Sequence, residues 1–273
     1  MKVLIATPAY GGSVFVAYHD SVLRTLAYFQ REFPGIAFES SILSLSMVTV
    51  ARNILASQVL ADDTLTHLLF IDADMGFAPS LIAKMLAFRK PVVGIVAPQR
   101  RLDYEAYHRV RAQVEAPLMA RLVANDYVAG DGAVVVERGP AGQPEIEVVD
   151  GFVRVTRTGT GILLVERAVL EAMRQRFPEL WVATPPDSIR RSGLPEGGLL
   201  QCFDQMRDEQ GVAIGEDVSF CRRWTEGLKG EIWANIDEGI VHVGQDNYAG
   251  RYLSKLEAGR VHLRRREADP SAT

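Results

Sequence analysis

The sequence predicts an α/β domain built on a mixed, mostly parallel sheet flanked by helices, with a less regular second half. Three observations carry that expectation. Short apolar runs such as Val3-Leu4-Ile5-Ala6 and Leu68-Leu69-Phe70-Ile71 lack polar alternation, so they read as strands buried on both faces. Segments with helical apolar periodicity lie between them. Up to Val96 the order is β-α-β-α-β-α-β, the alternation of a doubly wound sheet.

The first strand ends in Thr7-Pro8-Ala9-Tyr10-Gly11-Gly12, a loop at the carboxyl edge, where open α/β sheets bind ligands. That loop lacks the Gly-x-Gly-x-x-Gly spacing that seats a dinucleotide, which argues against an NAD enzyme. Val22, Leu26, Phe29 and Phe33 then recur at the helical period, and Pro34-Gly35 ends that helix. Ile36, Phe38 and Ile42 alternate as a strand. Met47, Val50, Ala51, Ile54 and Leu55 mark the apolar face of a second helix, whose other side carries Arg52 and Asn53. A solvated face and a ligand-facing one are equally compatible with that spacing.

The third strand, from His67, runs into Asp72-Ala73-Asp74. In extended backbone the i, i+2 spacing points both carboxylates the same way. Two acids converging at a strand's carboxyl end make a seat for a hard divalent cation, although solvated acids at a loop start give the same pattern. Pro79 suits an early helix position before Leu81, Ile82, Met85 and Leu86. Pro91 to Val96 reads as the next strand.

From Gln99 the regularity breaks. Arg100-Arg101 opens a polar, Tyr-bearing stretch to about Tyr127, read as partly helical. Gly130 to Asp150 is rich in Gly and Pro around the apolar run Ala133 to Val136, which reads as a hairpin or mobile loop. Strands return at Phe152 to Val155 and Ile162 to Val165, on either side of Gly159-Thr160-Gly161. A helix over Val169 to Phe177 stops at Pro178, and Thr184 to Gly198 reads as a loop. Gly215-Glu216-Asp217 opens a helix through Val218, Phe220, Cys221 and Trp224. Acids there favour the helix dipole, so capping alone accounts for them, and the dipole would favour their ionised form. Glu231 to Ala234 and Gly239 to Val241 read as late strands, the second followed by His242 at the edge that carries the acids. Arg264-Arg265-Arg266 reads as a solvated end.

The totals narrow the function classes. A chain of 273 residues with 48% hydrophobic and 23% charged residues is an ordinary globular one, which excludes wholesale disorder. A net charge of −4 offers no global basic field, so no nucleic-acid partner is expected. Cys202 and Cys221 form neither a disulfide framework nor a metal-ligand spacing, and a reduced, cytoplasmic protein is expected. No signal peptide and no membrane-spanning run is read, which leaves peripheral membrane contact open.

Several pieces, in this order, resemble the GT-A glycosyltransferases: Thr7-Pro8 after the first strand, Ala51-Arg52-Asn53, Phe70 through Asp74, Gly159-Thr160-Gly161, Glu216-Asp217 and His242. The resemblance covers roughly Lys2 to Gly244, and residues 99–150 have no counterpart in it. It implies a single GT-A-like domain over residues 1–273. Residues 1–98 would bind a nucleotide-sugar, 99–157 form an insertion, 158–250 supply the acceptor and catalytic half, and 251–273 form a tail. Asp74 and His242, with Asp72 directly or through ribose and a bound water, would hold Mn²⁺ or Mg²⁺ on the donor's diphosphate. Thr7, Pro8 and Ala9 would line the nucleoside pocket, with Arg52 and Asn53 beside base or phosphate and Arg100 on phosphate. The Gly159 to Gly161 segment would lie against the sugar, and Asp217, with Glu216 as the alternative, would be the base of an inverting transfer. The partners implied are a nucleotide-sugar donor and a glycan, lipid-linked or protein acceptor. Two other readings stay open: a metal-dependent phosphatase of the haloacid dehalogenase type, and a non-catalytic nucleotide- or glycan-binding relative. Sugar nucleotidyltransferases fit less well, because Thr7 to Gly12 contains no Arg.

Overall fold

The apolar runs become strands because helices cover them from both sides. The computed structural model describes residues 1–128, 132–194 and 196–244, without the side chains of residues 101 and 102. The expectations for Gly130, the Arg101 side chain, the 251–273 tail and its Arg264–Arg266 run lie outside the described residues.

The first half alternates as expected through β1 (Lys2–Pro8), α1 (Val16–Glu32), β2 (Ala37–Leu43), α2 (Val48–Ala61) and β3 (His67–Ile71). It continues through the two-residue β4 (Met75–Gly76), α3 (Pro79–Ala87) and β5 (Val92–Ile95). An excursion follows, in which β6 (Pro98–Leu102) and β7 (Asn125–Tyr127) bracket the packed pair α4 (Tyr104–Arg111) and α5 (Pro117–Ala124). The Gly- and Pro-rich stretch does contain a hairpin, of β8 (Glu137–Arg138) with β9 (Pro144–Glu145). The chain then forms β10 (Val148–Val149), β11 (Phe152–Val155), β12 (Ile162–Glu166), α6 (Arg167–Arg176), β13 (Trp181–Val182) and α7 (Asp187–Arg191). It ends through β14 (Leu199–Leu200), α8 (Glu216–Arg222), β15 (Ile232–Asn235) and β16 (Val241–His242).

Strands from both halves join one eight-stranded sheet in the order β10-β11-β15-β5-β12-β3-β1-β2. β1 lies parallel to β2 and β3, and β5 parallel to β15. β12 runs antiparallel between β3 and β5, and β11 runs antiparallel to β15 and β10. Only β11 and β12 therefore oppose the common direction, and the sheet is mixed but mostly parallel.

Alternate residues of β3 face opposite layers, as the pleat requires. Leu68 and Phe70 join a core with Leu55 and Val59 of α2, Leu170 and Met173 of α6, and Phe203 and Phe220. Leu69 and Ile71 join a second core with Val22 and Phe29 of α1 and with Leu81 and Met85 of α3. Both faces are dry, which is why the strand has no polar positions. No helix among the described residues is long and apolar enough to cross a membrane.

Three expectations need correction here. Of the two readings left open for Arg52 and Asn53 the solvated one falls: they are 3% and 2% exposed, Arg52 against Asp72 and Glu216 and Asn53 against the 203–204 segment. The loop from Thr184 to Gly198 contains α7, a short helix after Pro185-Pro186. The late strand expected over Gly239 to Val241 is shorter and displaced, forming only at Val241–His242.

Candidate active site

β3 delivers the two acids into a turn rather than an extension. The Met75 amide donates to the Asp72 carbonyl at 3.0 Å, and the Asp72 amide donates to Gly161 O at 2.8 Å. Asp72 and Asp74 therefore lie in a turn and not in the extended backbone that the sequence suggested. Each carboxylate takes a different cation.

Asp72 belongs to Arg52. Arg52 Nη2 donates to both Asp72 oxygens, at 2.9 and 3.1 Å, while Nε reaches Glu216 Oε1 at 3.4 Å. The guanidinium lies 5.2 Å above the centre of the Phe70 ring, and its Nη1 is buried without a hydrogen-bond partner among the described residues. Burial pushes the Asp72 carboxyl above its ordinary pKa, against the pull of Arg52. One arginine thus ties the end of β3 to the start of α8.

Asn53 has a different job from the one expected of it. Its Nδ2 donates to Asp204 Oδ1 at 2.7 Å, and its Oδ1 accepts the Phe203 amide at 2.8 Å. Both ends of the carboxamide are used in holding the 203–204 segment to α2, which makes it a structural tie. Asn53→Ala should cost about 2–4 kcal/mol of stability, since two buried polar groups lose their partner. Urea unfolding measures this directly; an unchanged midpoint would contradict the structural role.

Asp74 belongs to the far side of the turn. β16 pairs with β4, His242 opposite Met75, and the Val243 amide donates to Asp74 O at 2.9 Å. That pairing brings His242 Nε2 to 3.5 Å from Asp74 Oδ2. His242 Nδ1 lies 2.8 Å from the Pro98 carbonyl, which can only accept, so Nδ1 carries a proton and Nε2 is the atom presented to the acid. Arg100 Nη1 sits 2.9 Å from the same Oδ2. Burial alone would raise the Asp74 pKa, but His242 and Arg100 outweigh it and the net shift is downward. The hydrogen bond to Asp74 holds the His242 pKa up, against burial.

Between these two systems lies a cavity of about 180 Å³. Its polar wall is Arg52, Asp72, Glu216, Asp217 and His242; Gly159, Thr160 and Gly161 form a backbone wall; Met75, Ile95, Ala97 and Val128 supply the apolar lining. The glycine at 159 is a matter of space: a Cβ there would meet Val128 Cγ1 at 2.9 Å. Asp217 Oδ1 accepts the Val218 amide at 2.7 Å. Burial raises the Asp217 pKa, that amide opposes it, and the neighbouring Glu216 adds to the rise. The expectation that the helix N-terminus favours its ionised form is thus reversed: desolvation outweighs the dipole.

Not every expected site residue lines this cavity. The Thr7 hydroxyl bonds the Tyr18 hydroxyl at 2.7 Å, and the buried Ala9 donates its amide to Leu43 O at 2.8 Å. With Pro8 they lie at the carboxyl end of β1, outside the cavity lining; Asn53, Asp74 and Arg100 are outside that lining too. Ile95 and Ala97 were findable, since they flank Val96 at the carboxyl end of the Pro91–Val96 run. Val128 and the Pro98 carbonyl carried no signal.

Among the described residues no three His, Cys, Asp or Glu side chains gather as a ready metal cage. The donors that are present suit a cation shared with a substrate: one carboxylate oxygen, and one imidazole whose other nitrogen is fixed by a backbone carbonyl.

No protein-family model and no characterised protein matches the chain in sequence. Among solved structures it is similar to A197 from STIV, at 16% identity over 90% of this chain and 87% of that one, with a TM-score of 0.43. It is also similar to 4-diphosphocytidyl-2C-methyl-D-erythritol synthase from Anaerococcus prevotii, at 9% identity over 82% and 98% of the two chains, TM-score 0.31. A third, described as a glucose-1-phosphate thymidylyltransferase from Bacillus anthracis, matches at 10% identity over 88% and 87%, TM-score 0.37. Likenesses with TM-scores this low carry no argument about activity.

Proposed function

We propose that the chain is a metal-dependent glycosyltransferase that moves a sugar from a nucleoside-diphosphate donor to an acceptor hydroxyl. The observation that carries this reading is the placement of two unlike acidic centres around one cavity. His242, whose Nε2 faces Asp74, lines one part of it, and the half-buried carboxyl of Asp217 lines another. Leaving-group chemistry and proton chemistry need such separate stations.

In this reading the acceptor hydroxyl gives its proton to the Asp217 carboxylate as its oxygen bonds the anomeric carbon. The bond from that carbon to the diphosphate breaks on the opposite face, so the outcome is inversion. Arg52 holds Asp72 and Glu216 in place beside the reacting groups, and Gly159 to Gly161 bring backbone against the sugar. A divalent cation held by Asp74 and His242, when bound, supplies positive charge for the departing diphosphate. The cavity is smaller than the roughly 300–1,000 Å³ typical of ligand pockets, which suits the sugar and reacting bond rather than the whole donor. The phosphatase reading needs Asp72 free as a nucleophile, and the two-oxygen grip of Arg52 speaks against it.

The test is a panel of UDP-, GDP- and dTDP-sugars with Mn²⁺, read first by thermal shift. A matching donor at a hundredfold its Kd should raise the melting temperature by about 5–10 °C. Released nucleoside diphosphate then marks sugar transfer; in parallel assays, inorganic phosphate from a sugar phosphate marks a phosphatase, and pyrophosphate from a nucleoside triphosphate with a sugar 1-phosphate marks nucleotidyl transfer. Stabilisation with no released product would make the chain a binding protein.

A further inference from the structure

Asp74 carries two positive partners on one oxygen, and they are held in different ways. His242 is anchored, its Nδ1 on the Pro98 carbonyl and its strand paired with Met75. Arg100 is not. Its side chain is 56% exposed, and its contact with Oδ2 is single-pointed, through Nη1 at 2.9 Å. An exposed, one-point ion pair of this kind is weakly held. A guanidinium cannot shed its charge, so a dication bonding the same carboxylate repels it at close range.

We propose that Arg100 is a displaceable internal counter-ion: it occupies Asp74 in the free protein, is driven off when a divalent cation binds there, and turns to the diphosphate that comes with the cation. The proposal rests on the reading of Asp74 and His242 as the cation-binding pair. It makes cation and diphosphate binding cooperative. A cation alone must evict Arg100 into water, whereas a cation with a nucleoside diphosphate gives the guanidinium a phosphate to pair with, bidentately and at close range. The device would keep a half-built site from filling with cation before donor arrives.

Calorimetric titration of Mn²⁺ into the full chain tests this, alone and with UDP, GDP or dTDP. The proteins compared are wild type, Arg100→Met, Arg100→Lys and Asp74→Ala. Arg100→Met should bind Mn²⁺ alone about fivefold tighter than wild type, and should lose most of the enhancement that the nucleotide gives. Arg100→Lys, which keeps the charge, should stay near wild type; if it tightens as much as Arg100→Met, charge is not the cause and the proposal falls. Equal Mn²⁺ affinity in wild type and Arg100→Met, with none in Asp74→Ala, also overturns the counter-ion role while leaving the cation site intact. Absence of Mn²⁺ binding in every protein, with every nucleotide, removes the cation-pair reading and the proposal together.

Discussion

Asp74→Ala should lower Mn²⁺-dependent turnover by about a thousandfold or more, because several kcal/mol of leaving-group stabilisation depend on its carboxylate. The fold should survive. The turn is closed by the Asp72 carbonyl, and the link to β16 uses the Asp74 carbonyl, so neither needs the side chain. What the variant loses is the pairing with His242 and Arg100. The folded Asp74 pKa lies below its ordinary value of 3.8, so that stabilisation is present above 3.8 and fades as pH falls through the lower folded value. The folded His242 pKa lies above 6.5, so its share is complete below 6.5 and fades as pH rises through the higher folded value. The melting difference between wild type and Asp74→Ala should therefore be widest between about pH 4 and 6.5 and narrow in more alkaline buffer. His242→Ala should weaken Mn²⁺ binding less, since it removes a neutral donor and leaves the carboxylate. Full activity of Asp74→Ala after exhaustive chelation would end the metal reading.

Much of this was legible in the chain because burial writes itself into composition. A strand covered on both faces has no polar residues, so Val3 to Ala6, Leu68 to Ile71 and Ile162 to Val165 announced themselves. Direction leaves no such trace. β12 has the same apolar run whether it lies parallel or antiparallel to β3, and nothing local told that it reverses the sheet. The acids were found, but their backbone was not. Asp72 and Asp74 were read in extended backbone, and the Met75-to-Asp72 hydrogen bond that makes a turn there depends on neither side chain. Arg52 and Asn53 show the limit most clearly. A polar pair on a helix fits a solvated face until something meets it: Asn53 is met by Phe203 and Asp204, about 150 positions later, and Arg52 by Asp72 and Glu216. Strand ends put His242 only at the edge that carries the acids, and its association with Asp74 came from the resemblance; the carbonyl that fixes its ring belongs to Pro98, which no pattern singled out.

Asp217→Asn should leave the fold and donor binding near wild type and lower transfer by roughly a hundredfold or more, the scale of a lost general base. The substitution keeps size and keeps an oxygen for the Val218 amide, so the local geometry at the start of α8 is preserved. Only basicity is removed. The raised pKa of Asp217 strengthens the case in a way the sequence did not suggest. A carboxylate made more basic by burial accepts a proton more readily than a solvated one. It also fixes a sign. The acid limb of kcat/KM against pH should lie above the ordinary carboxylate value of 3.8, and transfer should fall as pH drops through it. In Asp217→Asn that limb should vanish along with most of the rate. Glu216→Gln separates the neighbour: it loosens the contact with Arg52 Nε at 3.4 Å, so it should disturb positioning and cost less than Asp217→Asn. If the two acids merely started the helix, both variants would lose stability and keep much of their rate. An Asp217→Asn protein that transfers sugar at nearly the wild-type rate, with the acid limb in place, would show that the proton goes elsewhere, and inversion through this carboxylate would have to be abandoned.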